Sequence, residues 1–207
     1  MADQLVTTAQ VKARDEISDA ADDPVLTELI EQVTDWIQDF TGRKFLPANG
    51  VTYIVDTAAG SVIDVPIGVR AVTALEIALT DQPDTGGTYT AITAADILLR
   101  PSELFRRPGW PATQIYIRNA NVGRLASALN AARIVGNFGF AAVPPAIQGV
   151  AIDAVVTAFN ARQGGASDVI GAGQTAIAPW ASFFTEASAQ FKILDRYRIG
   201  GGSIGIA

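Results

Sequence analysis

The sequence predicts an α+β protein: a helical bundle formed by N- and C-terminal helices, a β-rich middle insertion, and an extended C-terminal tail. Three observations carry this reading. Apolar residues recur at helical spacing before residue 45 and again after residue 141. Between those regions, short runs rich in β-branched residues are separated by turns containing Gly, Pro and Asn. The last nine residues, from Ile199 to Ala207, hold four glycines and no charge. The expected parts are therefore 1–45, 46–140, 141–198 and 199–207.

Thr7-x-x-Gln10 has the form of a capping box, opening a short helix that runs to about Ala20. Asp23 is expected to cap a second helix, with Pro24 as its first residue. Val25, Leu26, Leu29, Ile30, Val33, Trp36, Ile37 and Phe40 make one apolar stripe along it. Glu28, Glu31, Gln32, Asp35, Gln38 and Asp39 take the opposite face, and Gly42 stands where a C-terminal cap belongs.

In the middle region the β-type runs are 51–55, 62–65, 72–79, 88–92 and 113–118, with 132–138 as a further one. Leu75, Ile77 and Leu79 alternate with Glu76, Ala78 and Thr80. Residues 121–131 read as a short helix or a loop. Pro144-Pro145 opens a third helix, whose stripe is Ile147, Val150, Ala151, Ala154, Val155, Ala158 and Phe159. Gly164-Gly165 ends it, and a Gly-, Ala- and Ser-rich loop follows to about 179. A last helix, about 180–198, carries Phe183, Phe184, Ala187, Phe191 and Leu194 on one side. The second and third helices each need an apolar partner, so Trp36, Ile37 and Phe40 are expected to pack against Ile147, Ala151 and Val155.

Composition narrows the function. The 207 residues include no Cys and no His. That excludes a disulfide framework, a thiolate zinc site, a cysteine nucleophile and a Ser-His-Asp triad. Charged residues make up 17%, against roughly 25% in an average soluble protein, while hydrophobic residues make up 49%. Mean hydropathy is +0.25. A charge-poor, apolar chain of this size implies a surface covered by protein partners, chiefly copies of itself. The net charge of −6 makes a free-standing, phosphate-gripping DNA binder a poor reading. The acids are uneven: residues 1–35 hold nine acids and two bases, and the rest of the chain twelve acids and thirteen bases. The first ten residues lack the basic and apolar regions of a signal peptide, and no apolar run reaches 18 residues, so neither a leader nor a membrane span is expected.

Chemistry-bearing motifs are sparse. Gly171-Ala172-Gly173-Gln174-Thr175 lacks the Lys of a phosphate loop and reads as a plain loop. Asp15, Glu16, Asp19, Asp22 and Asp23 lack the alternating spacing and central Gly of a calcium loop, and read as a solvated acidic face. No metal or cofactor is expected. Trp110 and Tyr116 suit either an aromatic sugar platform or ordinary packing. Arg106 and Arg107, near Arg100 and beside the Trp110 turn, form the densest basic spot and are candidates for partner contact.

Three segments together resemble the head–tail connector (adaptor) proteins of long-tailed double-stranded-DNA bacteriophages. Asp35-Trp36-Ile37-Gln38-Asp39-Phe40-Thr41-Gly42-Arg43-Lys44-Phe45 is similar to the helix that closes on "TGR-x-F" in that family. Val135-Gly136-Asn137-Phe138-Gly139-Phe140, followed by Val143-Pro144-Pro145-Ala146-Ile147, resembles its strand, aromatic-Gly turn, Val-Pro step and next helix. Leu194-Asp195-Arg196-Tyr197-Arg198 resembles its last helix, which often closes on a Tyr-Arg pair. Phe138 and Phe140 stand where Tyr is usual, and both the β-rich middle and the 164–179 loop are long.

The resemblance implies a non-enzymatic ring, commonly of twelve copies, at the neck of a virion assembled in the host cytoplasm. Its partners would be itself, the portal protein, the next neck or tail-completion protein, and double-stranded DNA that passes without sequence-specific binding. The portal-docking segment would be Arg196, Tyr197, Arg198, Ile199, Gly200, Gly201, Gly202, Ile204 and Ile206. The acids expected to face the channel are Asp15, Glu16, Asp19, Glu28, Glu31 and Asp35, since basic walls would hold DNA through counterion release. Two other readings stand beside this one: a different neck or tail-completion protein, and a monomeric β-rich module of carbohydrate-binding type.

Overall fold

A computed structural model describes residues 4–17, 19–82, 87–101, 109–118, 125, 127–163 and 188–199. The chain divides into two units, one made of residues 1–43 and 143–207, the other of residues 44–142. The protein is α+β: the first unit is helical and the second is an antiparallel sheet.

In the helical unit, α1 (Thr8–Asp15) begins at a complete capping box. The Gln10 amide donates to Thr7 Oγ1 at 3.2 Å and the Thr7 amide donates to Gln10 Oε1 at 2.8 Å. The helix stops earlier than the predicted Ala20. Glu16 adopts a left-handed conformation, φ 51°, and its amide closes back on the Lys12 carbonyl. A 3₁₀ turn, Ala20–Asp22, then leads directly into α2 (Asp23–Thr41). The predicted capping role of Asp23 is corrected here. Asp19 caps the 3₁₀ turn through the Ala21 amide at 2.8 Å, and Asp22, the residue before α2, makes no side-chain cap bond. Asp23 instead lies in the first turn of α2 and pairs with Lys12 Nζ at 2.5 Å.

The stripe of α2 buries Leu26, Leu29, Ile30, Val33 and Ile37, together with Thr34 and Thr41. The two threonines satisfy themselves. Thr34 Oγ1 accepts the Leu5 amide at 3.2 Å, and Thr41 Oγ1 donates to the Ile37 carbonyl at 2.7 Å. Gly42, at φ 66°, ends the helix as expected. α3 (Pro145–Gln163) buries Ile147, Val150, Ala151, Ala154, Val155, Ala158 and Phe159, and packs on both α1 and α2. α4 (Ala189–Asp195), shorter among the described residues than the predicted 180–198, packs on α2 and α3 and buries Leu194 completely. Residues 180–187, the Gly164-Gly165 stop and the Gly171–Thr175 loop lie outside the described residues.

Ile37 is buried at this α2–α3 contact, but Trp36 and Phe40 are only half-buried and turn elsewhere. Their rings stack at 5.3 Å, and Phe40 meets Phe191 of α4 edge-on at 5.3 Å. The aromatic end of the stripe thus serves α4.

The sheet unit contains β1 (Ala48–Thr57), β2 (Val62–Ile77), β3 (Thr90–Ala91), β4 (Ile97–Arg100), β5 (Ala112–Ile117) and β6 (Ala128–Phe138). The order is β1-β6-β2-β5-β4, all antiparallel, with β3 on the end of β2. The separate runs predicted at 62–65 and 72–79 are one strand. Its first half pairs with β5 and its second half with β6. Pro66 sits where the β5 ladder is interrupted, between Asp64 and Val69, so its missing N–H breaks no regular pairing. The predicted alternation fails at its end: Ala78 is buried and Leu79 is 57% exposed, because β2 stops at Ile77. β6 begins at Ala128, so part of the stretch read as helix or loop is strand.

The sheet's core is Ile63, Val65, Val69, Leu75, Ile77, Ile115, Ile117, Ile134 and Phe138, with Val51, Tyr53 and Val55 of β1 and Ile97 and Leu99 of β4 packed against it. Each fully buried aliphatic side chain stabilises the fold by about 1.5–3 kcal/mol. Gly136, in the middle of β6, lets the neighbouring strand approach closely. A Cβ there would collide with the Ala71 carbonyl oxygen.

Ile37→Asp is expected to cost several kcal/mol in denaturant unfolding, because it buries an unpaired carboxylate between α2 and α3. Unchanged stability would show that this face is not packed. Gly136→Val is expected to cost about 1–3 kcal/mol from overpacking against Ala71. Gly149→Ala, in α3 with nothing within 4 Å of the new Cβ, is expected to stabilise by about 0.5–1 kcal/mol. Equal melting shifts for the two glycine variants would contradict the close-approach role of Gly136.

Candidate functional site

The sequence-predicted docking segment begins at the end of α4. Ser188 caps that helix, its Oγ accepting the Phe191 amide at 3.1 Å. The chain then turns back along the end of α2. The Tyr197 amide donates to the Leu194 carbonyl at 2.9 Å and the Arg198 amide to the Asp195 carbonyl at 3.1 Å. The Ile199 amide donates to the Thr41 carbonyl at 2.9 Å, and the Ile199 side chain lies against the Gly42 backbone. Arg198 places its guanidinium 5.5 Å from the Phe40 ring centre.

Arg43 holds this junction. Its side chain is 9% exposed, and Nε donates to the Tyr197 carbonyl at 2.5 Å. Burial pushes its pKa down from the ordinary value, yet a guanidinium stays protonated in any working range. Its charge therefore strengthens the bond to a main-chain carbonyl. Arg196 and Arg198 are exposed, Tyr197 is half-buried, and Ile199 is 36% exposed. Gly200, Gly201, Gly202, Ile204 and Ile206 lie outside the described residues. Arg43 was passed over at the sequence level except as a letter in the TGR-x-F segment; its position one residue past a helix-capping Gly was the available signal.

The acidic candidates divide by use. Asp15 accepts Asn160 Nδ2 of α3 at 3.1 Å. Asp19 caps the 3₁₀ turn and its carbonyl accepts Lys12 Nζ at 2.7 Å. Glu28 accepts Gln32 Nε2 at 3.1 Å and stands 3.9 Å from Arg162 of α3. Glu16 and Asp35 are exposed, and Glu31 is half-buried. Glu28, Glu31 and Asp35 rise along one side of α2, away from its buried stripe. Among the described residues no three acids stand close enough together to hold a metal ion.

Arg106 and Arg107 lie outside the described residues. Trp110 follows Gly109, φ 79°, and its ring meets Phe140 edge-on at 5.7 Å, while Phe140 stacks on Phe45 at 5.4 Å. Tyr116 lies under the Arg100 guanidinium, 4.2 Å from ring centre to charge. The two aromatics are thus engaged separately, each by its own neighbour.

Sequence reasoning missed one feature of the sheet. At one end of it, Asn130 is left-handed at φ 52° and is bound on several sides. Its amide donates to Asp56 Oδ1 at 2.8 Å, and its carbonyl accepts Tyr89 OH at 2.9 Å. Asp81 Oδ1 accepts the Leu129 amide at 2.8 Å. This rigid tip displays Leu79 and Leu129, 57% and 60% exposed. Beside it a cleft of about 560 Å³ is lined by Ile77, Leu79, Thr88, Thr90, Ile92 and Asp96 among others. None of the described helices is long and apolar enough to cross a membrane.

Arg43→Met keeps the aliphatic packing and removes the bond to Tyr197. Amide exchange at Arg198 and Ile199 is expected to accelerate roughly tenfold, the scale of a lost hydrogen bond to a charged group. Unchanged exchange would show that Arg43 does not anchor the junction.

The chain matches no protein-family model and no curated protein sequence. It does share its fold with a solved structure. A chain in the neck of an empty gene transfer agent (GTA) particle, computed with C6 symmetry, superposes at a TM-score of 0.54. The identity is 16%, over 96% of this chain and 93% of that one. Chains in the virion of a native GTA particle and in the neck of a native GTA particle computed with C12 symmetry align at TM-scores of 0.49 and 0.47, with 17% and 18% identity. They cover 96% and 98% of this chain, and 93% and 98% of their own. The fold of this protein is that of a chain from a phage-like particle's neck.

Proposed function

We propose that this chain is a structural head–tail connector: a ring below the portal that extends the DNA channel and receives the next neck or tail-completion protein. The observation that carries the reading is the fold shared, over nearly the whole chain, with a protein in the neck of a GTA particle. The TGR-x-F, Val-Pro-Pro and Arg-Tyr-Arg segments point the same way. A neck computed with C6 symmetry fits a ring whose copies number a multiple of six, and twelve is the count that the family resemblance implies.

Charge supports the role. Twelve copies at −6 each carry about −72, densest in the first 35 residues. Glu28, Glu31 and Asp35, with Glu16 nearby in sequence, supply the channel-facing charge in this reading. Asp15 and Asp19 have a first duty in holding the helices. Negative walls let DNA slide, since they release no counterions on contact. Arg196 and Arg198 stand exposed at the root of the segment that would dock on the portal. Gly200, Gly201 and Gly202 allow close backbone approach beyond them, and Ile204 and Ile206 supply the apolar anchors. Arg106, Arg107 and Trp110 are the partner-contact candidates in this reading, with the Trp110 ring against Phe140.

Class-averaged images of the purified protein, alone and with portal, test this. Rings on the portal are expected for the full chain. A chain lacking residues 199–207 is expected to fold, with its melting temperature lowered slightly by loss of the Ile199–Thr41 bond, and to lose portal association. A full-length protein that never joins portal overturns the connector reading, and a truncated one that joins normally overturns the docking role of the tail.

A further inference from the structure

We infer that the two outer edges of the sheet, β1 and β4, pair with each other between neighbouring copies of this chain. The pairing is parallel, with Ile54 beside Leu98, so that one copy's sheet continues into the next. The inference rests on the ring reading and adds how the ring is stitched.

Strand polarity comes first. Every ladder in the order β1-β6-β2-β5-β4 is antiparallel, so β1 and β4 run in the same direction. Among the described residues, β1 pairs only with β6, and β4 only with β5. A cyclic ring repeats copies head to tail and keeps the strand sense. A β4 edge meeting the next copy's β1 edge is therefore a parallel junction.

Side-chain faces then select the register. On β1, Val51, Tyr53 and Val55 pack against the core, while Thr52, Ile54 and Asp56 are exposed. On β4, Ile97 and Leu99 pack against the core, which sends Leu98 and Arg100 to the opposite face. Aligning 53–56 with 97–100 sets Tyr53 by Ile97 and Val55 by Leu99 on the core face. On the outer face it sets Ile54 by Leu98 and Asp56 by Arg100. A slip of one residue puts core-facing side chains against outward ones. A slip of two sets Arg100 against Ile54, or Leu98 against Asp56. Only the stated register joins apolar to apolar and acid to base.

Both charged partners are available. Asp56 Oδ1 accepts the Asn130 amide of β6, and Oδ2 has no partner among the described residues. Arg100 is exposed and lies over Tyr116, a seat that leaves its N–H groups for an acceptor. Between the two irregularities of the β1–β6 ladder the edge is open: residues 51–55 include no Lys and no Pro, and Ile54 is 39% exposed. Soluble proteins usually blunt such an edge, so an open one suits a partner strand.

The natural absence of cysteine makes the test clean. Full-length Ile54→Cys/Leu98→Cys protein, treated with a short thiol-specific cross-linker, is expected to give a ladder of covalent oligomers. Mixed single variants are expected to stop at dimers, and each single variant alone is expected to give none. Asp56→Asn, which keeps an acceptor for the Asn130 amide, and Arg100→Gln are each expected to weaken assembly, and the double variant to weaken it no further than either alone. Imaging of the same samples, with portal and without it, separates the possible failures. Rings that form but do not cross-link overturn the edge pairing and leave the connector reading standing. A chain that stays monomeric under both conditions, in images and in cross-linking, overturns both. Cross-linking that survives while the two charge effects simply add overturns the register.

Discussion

The sheet depends on how closely β6 can lie between its two neighbours. Gly136 faces Val51 on one side and Val72 on the other, and its missing Cβ is what admits the Ala71 carbonyl. Two residues on, Phe138 is opposite Ala48 of β1 and Val69 of β2. Its ring is 1% exposed and meets Tyr53 edge-on at 4.6 Å. A small residue and a large one on the same strand thus do complementary work, one bringing backbones together and the other filling the space beneath them. Because β2 is held to β6 by its second half alone, its first half is left to pair with β5, and β5 in turn carries β4.

In the helical unit the corresponding element is α2, which α1, α3 and α4 all touch. Its aliphatic stripe faces α3, and the ring of Phe40 is shared with Phe191 and Arg198. Its C-terminal end is used a second time. Thr41, Gly42 and Arg43 together receive the residues that follow α4, so the start of the tail is held against the end of α2.

The acids of the first 35 residues serve two ends that pull against each other. Asp23 with Lys12, Glu28 with Arg162 and Asp15 with Asn160 link neighbouring helices, as Asp153 of α3 does with Arg14 of α1. Exposed pairs of this kind contribute about 0–1 kcal/mol each. Their stronger effect is to set which acids remain uncompensated, and so where negative potential gathers. Glu31 and Asp35 pair with no cation among the described residues, and both lie on the side of α2 away from its core.

Local chemistry determined much of this protein from the sequence alone. The capping box at Thr7, the Gly42 cap, the stripes of α2 and α3 and the strands around Val51, Ile115 and Ile134 all follow from near neighbours in the chain. Each depends on hydrogen bonds or periodicities that span only a few residues. What depended on distant residues was decided by tertiary structure. Asp23 fell inside α2 and not before it, because the upstream 3₁₀ turn runs straight into the helix and Lys12 takes its carboxylate. Residues 62–77 became one strand because β5 and β6 draw on different halves of it. β4 was invisible as Ile97-Leu98-Leu99-Arg100, since a four-residue run shows its two faces only once a partner and a core exist. The anchoring of Ile199 by Thr41 and of Tyr197 by Arg43 joins residues far apart in the chain, 154 positions for the second pair. No spacing rule reaches that far, because the bond exists only after α2 and α4 have packed.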